Sequence, residues 1–404
     1  MRTSPYNVEA VTSEEGLRQL EAEWNALDVR APEPNVFAGY DWFRIWNRYY
    51  TAAYSSPRTP HVLVLRRQGV VAGVAPLVRI GFSRLGVSVP RIEFCGHEWD
   101  YNNLVFGDDP CGQTEAVVQY LAQNANLWDL IQLRNLRAPS GAIEHLHSAL
   151  TAAGLPHTIH FEAEGCPFLP LDTAWEGILA RFSASTRHSL RLGQSRIARM
   201  QADGLRIRIV DEPHREPALL DRMIAVERQK RVGGRPAPLF VARYREVFAA
   251  LFATLGPGGK VAVALMELDG RLLAWNLYFR CGHKLWGYLT AYDHEFSRLS
   301  PGTMLLPTII DDGFARGFEE LDFMTGEEAY KSRWTSSFRR TCCVRIQNPR
   351  PLARLKAAVY LALRPGPAAG EVWAPSQSQG VDGASVESVQ APSDGEASMH
   401  GSQH

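Results

Sequence analysis

The sequence predicts an α/β protein with mixed sheets, built in two successive halves and followed by a disordered tail. Three observations carry that prediction. Strand-like apolar runs and runs of helical spacing alternate along the chain. A hairpin–strand–loop–helix–strand succession is complete in the second half, and something similar precedes it in the first. The 404 residues exceed one average domain, and 45% apolar with 21% charged residues suffices for a buried core, which excludes wholesale disorder and collagen-like or coiled-coil composition. We therefore expect a first domain over 1–170, a second over 171–350, and an extension over 351–404 that is disordered from about 365.

In the first half, Ser13 can cap a helix running to about Leu27. A second helix around Ala38–Tyr50 carries Trp42, Phe43, Trp46 and Tyr50 at helical spacing, as core packing requires. HVLVLRRQGVVAGVAPLVRI reads as a hairpin around Gln68-Gly69. Arg91–Cys95 and Leu104–Phe106 read as strands flanking GHEWDYNN. A helix over Gln113–Asn124, the buried strand WDLIQLRNL, a helix over Ser140–Ala153 and a strand near His157–Phe161 complete this half.

The second half starts near Thr173 with a basic helical region containing Arg187, Arg191, Arg196 and Arg199. Leu205–Val210 reads as a strand, and Ala218–Lys230 and Ala242–Leu255 as helices. KVAVALMELDGRLLAWNLYFRC is a second hairpin turning at Asp269-Gly270. KLWGYLTAY follows as a strand, then the loop DHEFSRLSPG, a helix from about Thr303 to Arg316, the strand ELDFM, and TGEEAYKSRW before CCVRI. Residues 365–404 are rich in Gly, Pro, Ser, Ala and Gln, a composition that cannot offset its ordering entropy.

Charge narrows the function. Basic and acidic residues number 43 each, but five of the acids and none of the bases fall in 365–404, which leaves residues 1–364 at a formal +5. That mild excess suits an anionic small ligand better than DNA. No apolar run approaches the ~20 residues of a membrane span, and the first residues lack an export signal, so a cytoplasmic protein is expected. The six cysteines form no CxxC pair, and the twelve histidines show no metal spacing. No metal is expected.

Two segments can carry chemistry. In SRLSPGTMLLPTIIDDGFARG, Ser300-Pro301-Gly302 would turn tightly into a helix whose first N–H groups face the loop, a place for phosphate or pyrophosphate; an ordinary capped loop would look the same. In LDFMTGEEAYKSRW, Asp322 ends a strand, Gly326 permits a turn, and Tyr330 and Lys331 can project back towards it. Lys331 would bring a point charge to a phosphate or a developing oxyanion, or would merely pair with Asp322. Arg187 and Arg191 would either bind an anionic acceptor or donor phosphates, or form a solvated basic face.

These two segments together resemble the core of the GNAT acyltransferases. YDHEFSRLSPGTMLL…DFMTGEEAYKSRW is similar to the pattern of the BioF/CelD-like acetyltransferase family, and NVFAGYDWFRIW, AGVAPLV and DYNNLVF extend the resemblance over roughly residues 10–350. It implies two tandem GNAT-like domains, as in the Fem aminoacyltransferases. The chain departs from the usual Q/R-x-x-G-x-G/A loop, holding Arg298-Leu299-Ser300-Pro301-Gly302-Thr303 there.

The function this implies is N-acyl transfer, with acyl-coenzyme A, acetyl in the simplest case, as donor. The acceptor would be an amine on a sugar, peptide or small metabolite. Thr290, Ala291, Leu299, Ser300, Gly302 and Thr303 would hold the donor. Asp322 or Glu327, with Asp293 behind them, would take the amine's proton; Tyr330 or Tyr292 would protonate the leaving thiolate; Lys331 would add charge. Arg187, Arg191, Asp100 and Tyr101 are the acceptor-side candidates. Two alternatives stand beside this: a Fem-like transferase using aminoacyl-tRNA, and a non-catalytic tandem-GNAT partner in exopolysaccharide or cellulose production.

Overall fold

In the computed structural model of the chain, the described residues are 4–53, 58–84, 87–96, 101–137, 141–229, 231–232, 235–236, 239–326, 328–363 and 372–373. Their strands gather into three larger sheets. Asn7–Val11, Val62–Arg67, Val70–Ala75 and Val105–Phe106 make a four-stranded sheet in that order. The expected hairpin turn closes with Gln68 at φ 52° and Gly69 at φ 83°, the left-handed pair that a two-residue connection needs. The helix Glu14–Arg30 starts where Ser13 Oγ accepts the Gly16 N–H at 3.1 Å.

A six-stranded sheet runs Arg58–Pro60, Leu77–Arg84, Val87–Phe94, Leu130–Leu136, Cys342–Gln347, His157–Phe161. Helices Pro110–Gln123 and Ala142–Ala152 pack on one of its faces, burying Ile92, Ile131, Leu133, Val344 and Ile346. On the opposite face, helix Pro351–Leu363 rests Ala357 and Tyr360 on Val89 and Leu130.

The seven-stranded sheet runs Leu205–Val210, Val261–Leu268, Arg271–Cys281, Lys284–Tyr292, Glu320–Asp322, Cys166–Pro170, Phe338–Arg339. Its first four strands form an antiparallel meander. The chain then crosses through helices Pro301–Met304 and Leu306–Arg316 and returns as Glu320–Asp322, parallel to Lys284–Tyr292. Two strands cross between the halves: Cys342–Gln347 pairs inside the six-stranded sheet, and Cys166–Pro170 pairs inside the seven-stranded one.

Aromatic packing joins the halves. Phe37 meets Trp42 at 4.9 Å and Trp286 at 5.6 Å between ring centroids, and Trp42 meets Phe279 at 5.4 Å. The aromatic stripe of helix Tyr40–Ala53 is therefore core, as its spacing predicts, and the core it fills spans both halves. Of residues 364–404, only Val372 and Trp373 are described. Trp373 is an exception to a segment expected to lack core-forming side chains: it is 8% exposed and its backbone N–H donates to Ile159 O at 3.1 Å.

Candidate functional site

The site begins where two parallel strands part. Lys284, Leu285 and Trp286 pair with Glu320, Leu321 and Asp322, and the pairing stops there. The longer strand continues to Tyr292 along Arg271–Cys281, while the shorter one turns to Cys166–Pro170, with the Phe323 N–H donating to Pro167 O at 2.9 Å. A wedge opens between them. At its apex the antiparallel register shifts: Leu277 faces Leu289 and Tyr278 faces Gly287, so Tyr288 is the extra residue of a β-bulge. Such a bulge bends and re-aims the strand. Tyr288 was not singled out from sequence; the available signal was Gly287 interrupting a regular strand.

The wedge opens into a cleft of about 1660 Å³ lined from both halves. Seven of the expected site residues meet on its wall: Thr290, Tyr292, Ser300, Gly302, Thr303, Tyr330 and Lys331. Thr290 and Tyr292 face it because they alternate with Ala291, whose side chain points the other way into the core. The left-handed residue of the SPG turn is Ser300, at φ 48°, and not Gly302. Gly302 serves close approach: a Cβ there would lie 3.0 Å from Thr290 Oγ1. Asn276 donates to Gly302 O at 3.1 Å, and its buried Oδ1 has no hydrogen-bond partner among the described residues. An unused acceptor on the cleft wall beside this turn fits an extended donor that carries amide N–H groups.

The remaining candidates lie elsewhere. Leu299 is half-buried and outside the cleft lining. Arg187 caps the end of the preceding short helix, donating to Phe182 O at 2.5 Å and Leu179 O at 3.4 Å, and Arg191 is exposed; neither lines the cleft. Asp100 and Glu327 lie outside the described residues. Asp293 is buried and ion-paired with Arg271.

Asp322 and Tyr101 meet, but behind the cleft wall. The Tyr101 hydroxyl donates to Asp322 Oδ1 at 2.9 Å, the Met324 N–H donates to the same oxygen at 2.8 Å, and Arg339 stands 3.4 Å from Oδ2. Burial pushes the Asp322 carboxyl above the usual range, opposed by Arg137 and Arg339; burial and the Asp322 charge push the Tyr101 hydroxyl up strongly. Asp322 has no exposed surface, so this pair links the halves rather than reaching a substrate.

Lys331 pairs with Glu328 at 2.7 Å rather than with Asp322. Its Nζ also donates to the carbonyls of Thr325 at 2.9 Å, Gly326 at 3.3 Å and Met324 at 3.5 Å. Those bonds hold a loop with two unusual backbone angles, Met324 at φ 60° and Gly326 at φ 119°. Beside it, burial raises the Tyr330 hydroxyl's pKa, with Glu328 adding to the effect.

Residues 184–332 match the profile of the acetyltransferase (GNAT) domain. That stretch is a GNAT-type domain. It contains the meander, the wedge and the Ser300–Thr303 turn. The chain as a whole is similar to the crystal structure of FemX, with a TM-score of 0.56 at 15% identity over 86% of this chain and 99% of that one. It is also similar to a conserved protein of unknown function from Bacteroides thetaiotaomicron, with a TM-score of 0.50 at 11% identity over 84% of this chain and 100% of that one. A tandem GNAT protein from the clavulanic acid biosynthesis pathway matches with a TM-score of 0.42 at 12% identity over 85% of this chain and 99% of that one. At these identities the likeness is one of fold. No curated protein sequence matches the chain.

Proposed function

We propose that this chain is an N-acyltransferase, akin to the BioF/CelD-like acetyltransferases, that moves an acyl group from acyl-coenzyme A to an amine. The observation that carries this reading is the wedge between Lys284–Tyr292 and Glu320–Asp322, with the Tyr288 bulge at its apex and the cleft in front. The bulge re-aims the strand at the mouth of the wedge, and backbone N–H groups turned towards the thioester carbonyl there would hold the oxyanion that forms as it is attacked. Gly302 lets its turn pack against Thr290, and together they shape the part of the cleft wall along which the donor would lie. The new bond is C–N and the broken one C–S. The amine's proton passes to Glu328, and Tyr330, kept protonated by burial, protonates the departing thiolate. Both residues line the cleft. At about 1660 Å³ the cleft exceeds the few hundred to ~1,000 Å³ of common small-molecule pockets, which favours a sugar- or peptide-linked acceptor over a bare amine.

Calorimetric titration with coenzyme A and with aminoacyl-tRNA tests the reading. Saturable coenzyme A binding without tRNA binding is expected, together with release of the free thiol from acetyl-coenzyme A when amines are supplied. Binding of tRNA alone would favour a Fem-like reaction, and binding of neither would favour a non-catalytic role.

A further inference from the structure

We infer that the acceptor carries an anionic group, a carboxylate or a phosphate, and that Arg58 and Arg91 on the first half's wall of the cleft hold it. This rests on the acyl-transfer reading above for what the bound molecule is, but not for the anion site itself. Alternation across the six-stranded sheet sends Ile92, Ile131 and Leu133 into the helix-covered core and leaves Arg91, Glu93, Gln132 and Arg134 on the opposite face. Register places them side by side, with Glu93 opposite Gln132, and with Arg91 and Arg58 both opposite Ile80. That face is a wall of the same cleft into which the wedge opens.

A half-buried sheet ordinarily turns a polar face to water, so polarity alone decides nothing. Burial decides it. Arg91 is only 9% exposed, and the Nε atoms of both Arg91 and Arg58 are buried with no hydrogen-bond partner among the described residues. Leaving such a donor dry and unpaired is costly, and more so for a charged group. Arg91 is partly neutralised by Glu93, and Arg134 has Glu162 at 3.6 Å. For Arg58 the interaction shown is stacking on the Tyr50 ring at 4.3 Å, with no carboxylate in ion-pair range among the described residues. The Arg91 guanidinium likewise lies 4.5 Å over Tyr360. The rings fix the planes of two guanidinium forks, and such forks match the oxygen pairs of carboxylate and phosphate. An acceptor held there by its anion lies in the same continuous cleft as Tyr288, Thr290 and Tyr330.

Two matched pairs of probes test this on the full-length chain by calorimetry: glucosamine 6-phosphate against glucosamine, and β-alanine against β-alaninamide. We expect at least one anionic member to bind ~10-fold or more tightly than its neutral counterpart, and that preference to vanish in Arg58→Gln. Arg58→Lys, which keeps charge but loses the fork, should retain part of it. The pair showing the preference identifies phosphate or carboxylate as the group. No preference in either pair, no binding of either anionic probe at ~10 mM, or a preference unchanged in both Arg58→Gln and Arg91→Gln would overturn the inference. Coenzyme A is titrated in parallel. An Arg58-dependent anion preference without coenzyme A binding would sink the acyl-transfer reading and leave the anion site standing.

Discussion

Lys331 is the residue to which the motif assigns most of the chemistry, and its surroundings give it a structural task. Its ammonium satisfies three loop carbonyls and the Glu328 carboxylate while itself only 3% exposed. Lys331→Met keeps the aliphatic stem and removes every donor. Stranded polar groups of this kind cost ~1–3 kcal/mol, so the urea midpoint should fall accordingly. Turnover should drop as the loop carrying Tyr330 shifts. A variant with an unchanged midpoint and lost turnover would return Lys331 to a purely chemical role. A second residue makes stability depend on pH. Burial, with Arg79 nearby, holds the His61 imidazole down to about 4 from 6.5. The unfolded chain takes up this proton near pH 6.5 and the folded chain only near pH 4, so the stability His61 confers is lost as pH falls through that window. The loss is about 1.4 kcal/mol per pH unit. Asp28 acts oppositely: burial raises its carboxyl from 3.8 to about 6, so folding retains its proton at low pH and stability falls as pH rises through that range. The comparison must therefore be between variants. From pH 7 to pH 5, wild type should lose about 2 kcal/mol more than His61→Leu in urea unfolding, and equal losses would exclude His61 as the cause.

At the scale of elements, the start of helix Pro301–Met304 sits against strand Lys284–Tyr292, and Gly302 is what lets it come so near. A Cβ 3.0 Å from Thr290 Oγ1 already requires a shift, and the branched side chain of Gly302→Val would push the turn off the strand. Coenzyme A affinity should fall ~10-fold or more while the fold survives, because the strain is confined to a cleft-lining turn. An unchanged dissociation constant in a folded variant would place the donor elsewhere. This contact also shows what the sequence could and could not reveal. The turns at Gln68-Gly69 and Asp269-Gly270, the capped helix after Ser13 and the aromatic stripe of Trp42, Phe43 and Trp46 were legible because turn residues and periodicity are local signals. The neighbourhood of Ser300–Thr303 and Tyr330-Lys331 was legible as motif. The partners within it were not. Tyr101 meets Asp322 across 221 positions, and that long-range contact explains why a motif carboxylate is not in reach of the cleft. Arg58 and Arg91 escaped notice because only strand register brings them to one face.

At the scale of the molecule, the two halves exchange strands. Leu130–Leu136 and His157–Phe161 are neighbours only through Cys342–Gln347, which lies between them and returns from beyond the GNAT-type stretch. Conversely, Glu320–Asp322, the short arm of the wedge, is flanked by Cys166–Pro170 from the first half. A cut near residue 170 thus removes the third pairing partner from one sheet and leaves an unpaired strand at the end of the fragment. The aromatic core adds to this, since Phe37 and Trp42 lose Phe279 and Trp286. Exposing that apolar surface together with two unpaired strand edges is a route to aggregation. We therefore expect a fragment of residues 1–170 to be insoluble, or to keep far-ultraviolet ellipticity while losing near-ultraviolet signals from its tryptophans, as loosely packed states do. Extending the fragment cannot repair it without residues 342–347, so a chain of residues 1–363 should be the shortest of the series to melt cooperatively. A soluble 1–170 fragment with native-like near-ultraviolet signals and a sharp melting transition would show that the first half is complete without the returning strand. The cleft wall bearing Arg58 and Arg91 would then be a surface that forms independently of the half that contains the wedge.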